Sequence, residues 1–219
     1  ANSHLNLGNI LKGLGKIKEA ELATRKAIEL KPDFEMAHSN LGNILKDLGK
    51  LKEAELATRK AIELKPDFAM AHYNLGNILR DLGNRKQAEL LTRKAIELKP
   101  DFADAHSNLG GILKDLGDLK EAELSTRKAI LLKPSFAMFH SNLASILKDI
   151  GNLKDAEFYT RKAIELDPNF ANAHCSLGNI LRNIGNPKEA LDCYIKTKQL
   201  NPIYPNIYQI ITRFLAESD

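Results

Sequence analysis

Apolar residues recur along the chain at the three- and four-residue spacing of helices, and the whole pattern repeats every 34 residues. Within residues 35–48 all apolar side chains except Met36 share one helical face, and they are Ala37, Leu41, Ile44, Leu45 and Leu48. A second amphipathic stretch begins near residue 51 and is ended by the proline at residue 66. Since a helix turns about 100° per residue, each 34-residue unit predicts two short helices that each bury one face.

Four residue types keep the 34-residue step in all six copies: histidine at position 4, glycine at position 15, alanine at position 20 and proline at position 32. The repeats therefore span 1–34, 35–68, 69–102, 103–136, 137–170 and 171–204. Residues 205–219 lie outside the period, but they carry one apolar face formed by Ile207, Ile210, Ile211, Phe214 and Leu215. This tail is predicted to form a capping helix over the last repeat. The first repeat has no such cap, so we expect it to fray or to pair with another chain.

Turn residues mark where the helices should begin and end. The glycine at position 15 tolerates the left-handed conformation that ends a helix. The predicted N-caps of the second helices are Asn84, Asp118, Asn152 and Asn186. The proline at position 32 should end the second helix. Position 33 should then cap the following first helix, and it is occupied by Asp33, Asp67, Asp101, Ser135 and Asn169.

The period resembles the tetratricopeptide repeat, with Leu41-Gly42 at positions 7 and 8, alanine at positions 20 and 27, and proline at position 32. The resemblance implies an all-α, right-handed α-solenoid in which the first helices line a concave groove. The large aromatic residues that the family has at positions 4, 11 and 24 are here His38, Leu45 and Thr58, which predicts a lighter core. The run AHSNLG at residues 37–42 is similar to the superhelical repeats of O-linked N-acetylglucosamine transferases.

Positions 2, 5, 6, 9, 12 and 13 form a polar arc on the first helix, which the resemblance places in the groove. Asparagine dominates positions 6 and 9, as Asn6, Asn40, Asn74, Asn108 and Asn142 and as Asn9, Asn43, Asn77 and Asn179. A carboxamide has two donors and an acceptor, so such a column can bind the backbone of an extended peptide. In the transferase repeats that these resemble, an asparagine ladder holds substrate peptides. The alternative is that the asparagines are polar filler or bond one another across repeat junctions.

Charge within the same arc nearly cancels. Position 12 is always basic and includes Lys46, Arg80, Lys114 and Lys148, while position 13 is mostly aspartate. These pairs are expected to set solubility and register rather than to steer a charged ligand. A net charge of +4 does not indicate a nucleic-acid partner, and no apolar run approaches the ~18 residues of a membrane-spanning helix.

Residues with reactive side chains recur as part of the scaffold. Consecutive helices pack about 10 Å apart, whereas a zinc ion needs each histidine nitrogen about 2 Å away, so the position-4 histidines are interpreted as packed residues. Cys175 and Cys193 are too few for a disulfide framework and are interpreted as buried thiols, which favours a cytoplasmic location. The sequence thus predicts no catalytic residue, no metal site and no cofactor.

Position 22 lies opposite the buried arc of the second helix, yet it is apolar in five repeats, as Leu22, Leu56, Leu90, Leu124 and Phe158. In one interpretation, long basic side chains such as Arg59 and Lys60 cover these residues. In the other, the stripe docks a partner or mediates self-association.

We therefore expect a protein-interaction scaffold without enzymatic activity, which binds a protein or peptide ligand in its groove. The alternative is a substrate-targeting region cut from a larger enzyme such as a glycosyltransferase. Residues 1–4 show no signal-peptide pattern, and we expect the chain to begin inside a larger protein.

Overall fold

The helical periodicity produces thirteen α-helices over residues 1–216, which are the residues described by the computed structural model. The first helices of the repeats are α1 (Asn2–Gly13), α3 (Glu35–Asp47), α5 (Ala69–Asp81), α7 (Ala103–Leu116), α9 (Ala137–Ile150) and α11 (Ala171–Asn183). The second helices are α2 (Ile17–Leu30), α4 (Leu51–Leu64), α6 (Arg85–Leu98), α8 (Leu119–Leu132), α10 (Leu153–Leu166) and α12 (Pro187–Leu200). The tail forms α13 (Ile207–Ala216). These described residues contain no β-strand, and the fold is an all-α solenoid of helical repeats.

The chain divides into two compact units, Ala1–Leu116 and Gly117–Asp219. In the first unit, the helices pack in pairs, and each second helix also packs on the next first helix. The helices α1, α3, α5 and α7 contact one another in succession, whereas the backbones of α2, α4 and α6 stay apart. We call the exposed side of the first helices the inner face and the exposed side of the second helices the outer face.

The second unit repeats this arrangement. Here α9 packs on α10 and α11 on α12, while α9 also contacts α8 and α11. The last helix, α13, packs on α12.

The position-15 glycines end the first helices as predicted. All six have a positive φ, between 73° at Gly49 and 90° at Gly151. In the first repeat, the N–H groups of Gly15 and Lys16 donate to the carbonyls of Lys12 and Leu11, each at 2.9 Å. This is the Schellman arrangement, in which a left-handed residue satisfies the last carbonyls of a helix.

The predicted helix caps are right in part. The side chains of Asp118, Asn152 and Asn186 accept from the backbone N–H three residues later, whereas Asn84 makes no such bond. The prediction for position 33 was wrong, because Asp33, Asp67, Asp101, Ser135 and Asn169 lie two residues before the first helical residue. Aromatic residues occupy the N-cap position instead, as Phe34, Phe68, Phe136 and Phe170.

The threonine at position 24 is accommodated by close packing of the two helices in a repeat. Thr58 is buried, and its Oγ1 donates to the carbonyl of Ala54 at 2.8 Å. A Cβ added to Gly42 would collide with Oγ1 of Thr58. The glycine at position 8 therefore lets α3 approach α4 closely at Thr58.

The two ends of the chain differ in packing. Ile207 and Phe214 of α13 are buried against Tyr194 and Cys175, with Ile210 and Ile211 partly buried beside them, while the side chain of Leu215 lies outside the described residues. In α1, by contrast, Ile10 is 61% exposed, although its counterpart Ile44 is 0% exposed. That the first repeat frays or pairs with another chain stays a prediction.

Candidate functional site

The inner face of the first unit is built from the polar positions of α1, α3, α5 and α7. Asn6 and Asn9 are exposed, Asn40, Asn43, Asn77 and Asn108 are half-buried, and Asn74 is buried. These asparagines, predicted to form one column, lie on successive first helices that contact one another.

Hydrogen bonds orient the position-6 carboxamides. Asn40 Nδ2 donates to Asn9 Oδ1 at 2.8 Å, and Asn74 Nδ2 donates to Ser39 Oγ at 3.0 Å, so both bonds join successive first helices. Asn108 Nδ2 lies 3.5 Å from Thr92 Oγ1 on the neighbouring helix α6. A carboxamide has a second N–H donor and an acceptor oxygen, so one such bond leaves capacity for a ligand.

Position 5 does not belong to the exposed arc, contrary to the sequence-based prediction. Ser39 and Ser107 are buried. The physical reason is that successive first helices contact one another on this side, and Ser39 accepts the bond from Asn74.

Ion pairs also connect successive first helices. Lys12 pairs with Asp47 at 3.0 Å, Lys46 with Asp81 at 3.3 Å, and Arg80 with Asp115 at 2.7 Å. In each pair, the position-12 cation of one repeat meets the position-13 carboxylate of the next. Exposed pairs of this kind each stabilise a protein by about 0–1 kcal/mol, and they balance the charges of Lys12, Lys46 and Arg80 on the inner face. That they set register stays a prediction.

Arg80, at position 12 of the third repeat, has a small neighbour on the next first helix. Its guanidinium lies over Gly111, where an added Cβ would approach Nη1 to 2.9 Å. Position 9 is asparagine in most other repeats, so the loss of that side chain at Gly111 makes room for Arg80.

The inner face of the second unit is less regular. Lys148 is exposed and lies 4.0 Å from Asp149 on its own helix. Asn179 is half-buried and accepts a hydrogen bond from Tyr194 Oη at 3.0 Å. Asn142 is half-buried on α9, and Lys114 is half-buried on α7 of the first unit.

The position-4 histidines connect the first helix of a repeat to the preceding turn through a hydrogen bond. The Nε2 atoms of His38, His72, His106, His140 and His174 lie 2.7–3.0 Å from the carbonyl oxygens of the position-32 prolines. A carbonyl can only accept, so Nε2 donates. Among the described residues, no group of three or more His, Cys, Asp or Glu side chains is placed to hold a metal ion.

Both cysteines are buried in the last repeat, as the sequence predicted. Burial raises the pKa of the Cys193 thiol to about 11, with a smaller contribution from Glu189. Burial also raises the pKa of the Cys175 thiol. Both thiols are therefore protonated and poorly nucleophilic at neutral pH.

Family models described as TPR repeat or tetratricopeptide repeat match residues 1–34, 42–83, 69–102, 103–136, 139–170 and 159–192. The chain belongs to the tetratricopeptide repeat (TPR) family. The similarity of the TPR sequence to the transferase repeats stays a prediction. No curated protein matched the sequence.

Solved structures share the TPR fold. Cut9–Hcn1, a hetero-tetramer of the APC/C, has a TM-score of 0.89 at 20% identity, and the match covers 97% of this chain but only 42% of that chain. PilF of Pseudomonas aeruginosa has a TM-score of 0.81 at 20% identity, with coverages of 99% and 96%. YrrB, a TPR protein with an unusual peptide-binding site, has a TM-score of 0.62 at 25% identity, with coverages of 86% and 97%.

The outer face of the TPR helices carries the apolar stripe at position 22. Leu22, Leu56, Leu90, Leu124 and Phe158 are each 61–71% exposed. The neighbouring arginines pair with glutamates of their own helices, as Arg59 does with Glu55 at 2.8 Å. The basic side chains therefore leave most of the stripe in contact with solvent.

Two pockets on the outer face of the TPR array were missed by the sequence analysis. One lies beside Ala57 and the other beside Cys193. The sequence does show that residue size at position 23 changes from repeat to repeat. Whether a small residue there leaves a pocket depends on how neighbouring repeats pack.

No helix among the described residues is long and apolar enough to cross a membrane.

Proposed function

We propose that this TPR protein binds an extended peptide segment on its inner face, mainly through the peptide backbone. TPR membership supports the broader function of a protein-interaction scaffold. YrrB, at 25% identity, is a TPR protein with a peptide-binding site, which supports a peptide ligand here. The proposed contacts on this chain are those of its own asparagine side chains.

The observation that carries the proposal is the ordered asparagine column. Asn40 and Asn74 are each held by a hydrogen bond from one repeat to the next, so their side chains are oriented before a ligand arrives. Preorganised groups lose less conformational entropy on binding. The adjacent position-9 residues Asn43 and Asn77 are half-buried on the same face and are available to extend the column.

The neutral charge of this face favours a ligand that is recognised through its amides. Lys12, Lys46 and Arg80 are each paired with an aspartate of the next repeat. A carboxylate or phosphate ligand would have to displace these aspartates, whereas peptide N–H and C=O groups match the donors and acceptors of asparagine.

The test is a selection of random twelve-residue peptides displayed on phage, followed by affinity measurements on the selected peptides. The variant Asn43→Ala/Asn77→Ala removes position-9 carboxamides while keeping the Asn40 and Asn74 bonds. We expect a loss of roughly 1 kcal/mol per hydrogen bond, or about 30-fold for two. Gln87→Ala on α6 is the matched control, because Gln87 is exposed on a second helix. Equal affinity of the double variant and the control for all selected peptides would refute the proposal.

A further inference from the structure

Position 23 of the second helix faces the junction with the preceding repeat, and its size changes along the chain. It is Ala57 in the second repeat, Leu91 in the third, Tyr159 in the fifth and Cys193 in the sixth. Leu91 and Tyr159 therefore fill this place with a large side chain, whereas Ala57 and Cys193 leave it to a small one. Ala23 and Ser125 at the same position are also small.

Tyr159 shows how a large residue fills this place. Its ring packs with Ile130 against a core cluster that includes Leu143 and Leu147. It stacks on His140, with ring centroids 6.0 Å apart. Its hydroxyl oxygen accepts a hydrogen bond from Arg127 Nη1 at 2.8 Å.

Leu91 fills the equivalent place in the third repeat. It packs with Ile62 of the preceding repeat against a cluster that includes Leu75 and Leu79. These contacts use the same repeat positions as those of Tyr159, so the filling does not depend on one particular side chain.

Beside Ala57 the place is an open pocket of about 520 Å³. Its lining includes Arg25, Ile28, His38, Leu41 and Leu45. Each of these residues lies three repeats before a residue that surrounds Tyr159, and each is of the same type as its counterpart. The pocket therefore presents an apolar floor, a histidine ring and an arginine donor in the arrangement that holds a tyrosine in the fifth repeat.

A second pocket of about 480 Å³ lies beside Cys193. Its lining includes Arg161, Ile164, His174 and Leu177, one repeat after the residues that surround Tyr159. Arg161 bonds to Glu189 at 2.6 Å, and Arg25 of the first pocket bonds to Glu53 at 3.3 Å. Both pockets thus have an arginine–glutamate pair in their lining, and both volumes fall in the range of about 300–1,000 Å³ that is usual for ligand sites.

We propose that these two pockets on the outer face each bind an aromatic side chain, tyrosine above all, of a partner protein segment. The bound ring stacks on the position-4 histidine and contacts the position-28 isoleucine, and its hydroxyl accepts from the position-25 arginine. At the first pocket, the exposed Leu56 of the position-22 stripe extends the apolar contact beyond the ring. The partner is recognised by side chains on the outer face, independently of the backbone recognition proposed for the inner face.

The test uses NMR of ¹³C-labelled isoleucine methyl groups in the full chain, with p-cresol as the probe of the side chain and N-acetyl-tyrosinamide as the probe of the residue. We expect saturable shifts of the Ile28 and Ile164 methyl signals. The side chain of N-acetyl-leucinamide has no acceptor for the arginine, so this probe should bind about fivefold more weakly than N-acetyl-tyrosinamide, which has the same amide groups.

Matched variants come from the chain itself. Ala57→Tyr should abolish the response of Ile28 and leave that of Ile164, while Cys193→Tyr should do the reverse. Ala57→Leu, which copies Leu91, replaces Ala57→Tyr if that variant does not fold. Tyr159→Ala should open a third pocket and make Ile130 responsive to p-cresol.

Absence of saturable shifts at Ile28 and Ile164 in the unaltered chain would overturn the proposal, and so would shifts that persist after both pockets are filled. The Asn43→Ala/Asn77→Ala variant should bind p-cresol normally, which separates this proposal from the one for the inner face.

Discussion

His72 donates a hydrogen bond from Nε2 to the carbonyl oxygen of Pro66 at 2.8 Å, and so connects the first helix of one repeat to the turn that ends the previous one. His72 is buried, and its Nδ1 has no hydrogen-bond partner within the described part of the chain. Pro66 lies two residues beyond the end of α4, and its carbonyl is satisfied by a donor from the next repeat.

Replacing His72 with phenylalanine should destabilise the protein by about 1–2 kcal/mol, because the carbonyl of Pro66 loses its donor. Urea denaturation measures the change in the free energy of unfolding. His4→Phe is the matched control, since the 219-residue chain has no proline before His4. A cost for His72→Phe no larger than that for the control would contradict this role of the histidine.

Glu21 should make stability depend on pH in the acid range. Partial burial acts to raise its pKa, but hydrogen bonds from Lys50 and Arg25 and their charges outweigh it and hold the pKa below the ordinary value of 4.5. The stabilisation is present above pH 4.5 and is lost as the pH falls through the lower pKa of the folded state. Near neutral pH the free energy of unfolding of the parent chain should exceed that of Glu21→Gln by at most about 1 kcal/mol. This difference should vanish on acidification.

The matched control is Glu29→Gln, because Glu29 is much more exposed than Glu21 and pairs with Lys26 of its own helix at 2.7 Å. Thermal unfolding from pH 7 to pH 3 measures both variants. An advantage over Glu21→Gln that stays constant with pH would show that the carboxylate charge does not stabilise the fold.

Deleting residues 205–219 should open the sixth repeat before the others. The deletion removes Ile207 and Phe214 from the cluster that buries Cys175 and Tyr194. Stability in repeat proteins is a sum of neighbouring contacts, so the loss acts locally. Alkylation of Cys175 by iodoacetamide should become faster, and amide exchange should rise in α11 and α12 first. Uniform protection of all repeats in the shortened chain would contradict the prediction.

The apolar stripe of the outer face is proposed as a docking surface. Leu56→Glu, Leu90→Glu and Leu124→Glu together should change stability little, because these side chains are 61–70% exposed. Analytical ultracentrifugation of the parent chain and the triple variant tests whether the stripe mediates self-association, which the substitutions should abolish. A large loss of stability would show that the stripe belongs to the core.

Features that depend on local conformation can be predicted from the amino-acid sequence of this chain. A left-handed turn strongly favours glycine, so Gly15 and its counterparts marked the helix ends correctly. The period of apolar residues identified buried positions such as Ile44 and Leu45, and also predicted the exposure of Leu56. These features follow from backbone sterics and from the 3.6-residue turn of a helix, which act within one repeat.

Features that arise between repeats depend on tertiary packing. Asp33 belongs to a residue type that caps helices well, but α3 begins at Glu35, so Phe34 occupies the N-cap position. His38 of the same helix donates a hydrogen bond to the carbonyl of Pro32 in the preceding turn. Ser39 looked like a groove residue, yet contact with the next first helix buries it. Ala57 leaves a pocket only because residues from two repeats surround it. Distances between repeats depend on the packing of side chains far apart in sequence, and a one-dimensional pattern does not contain them.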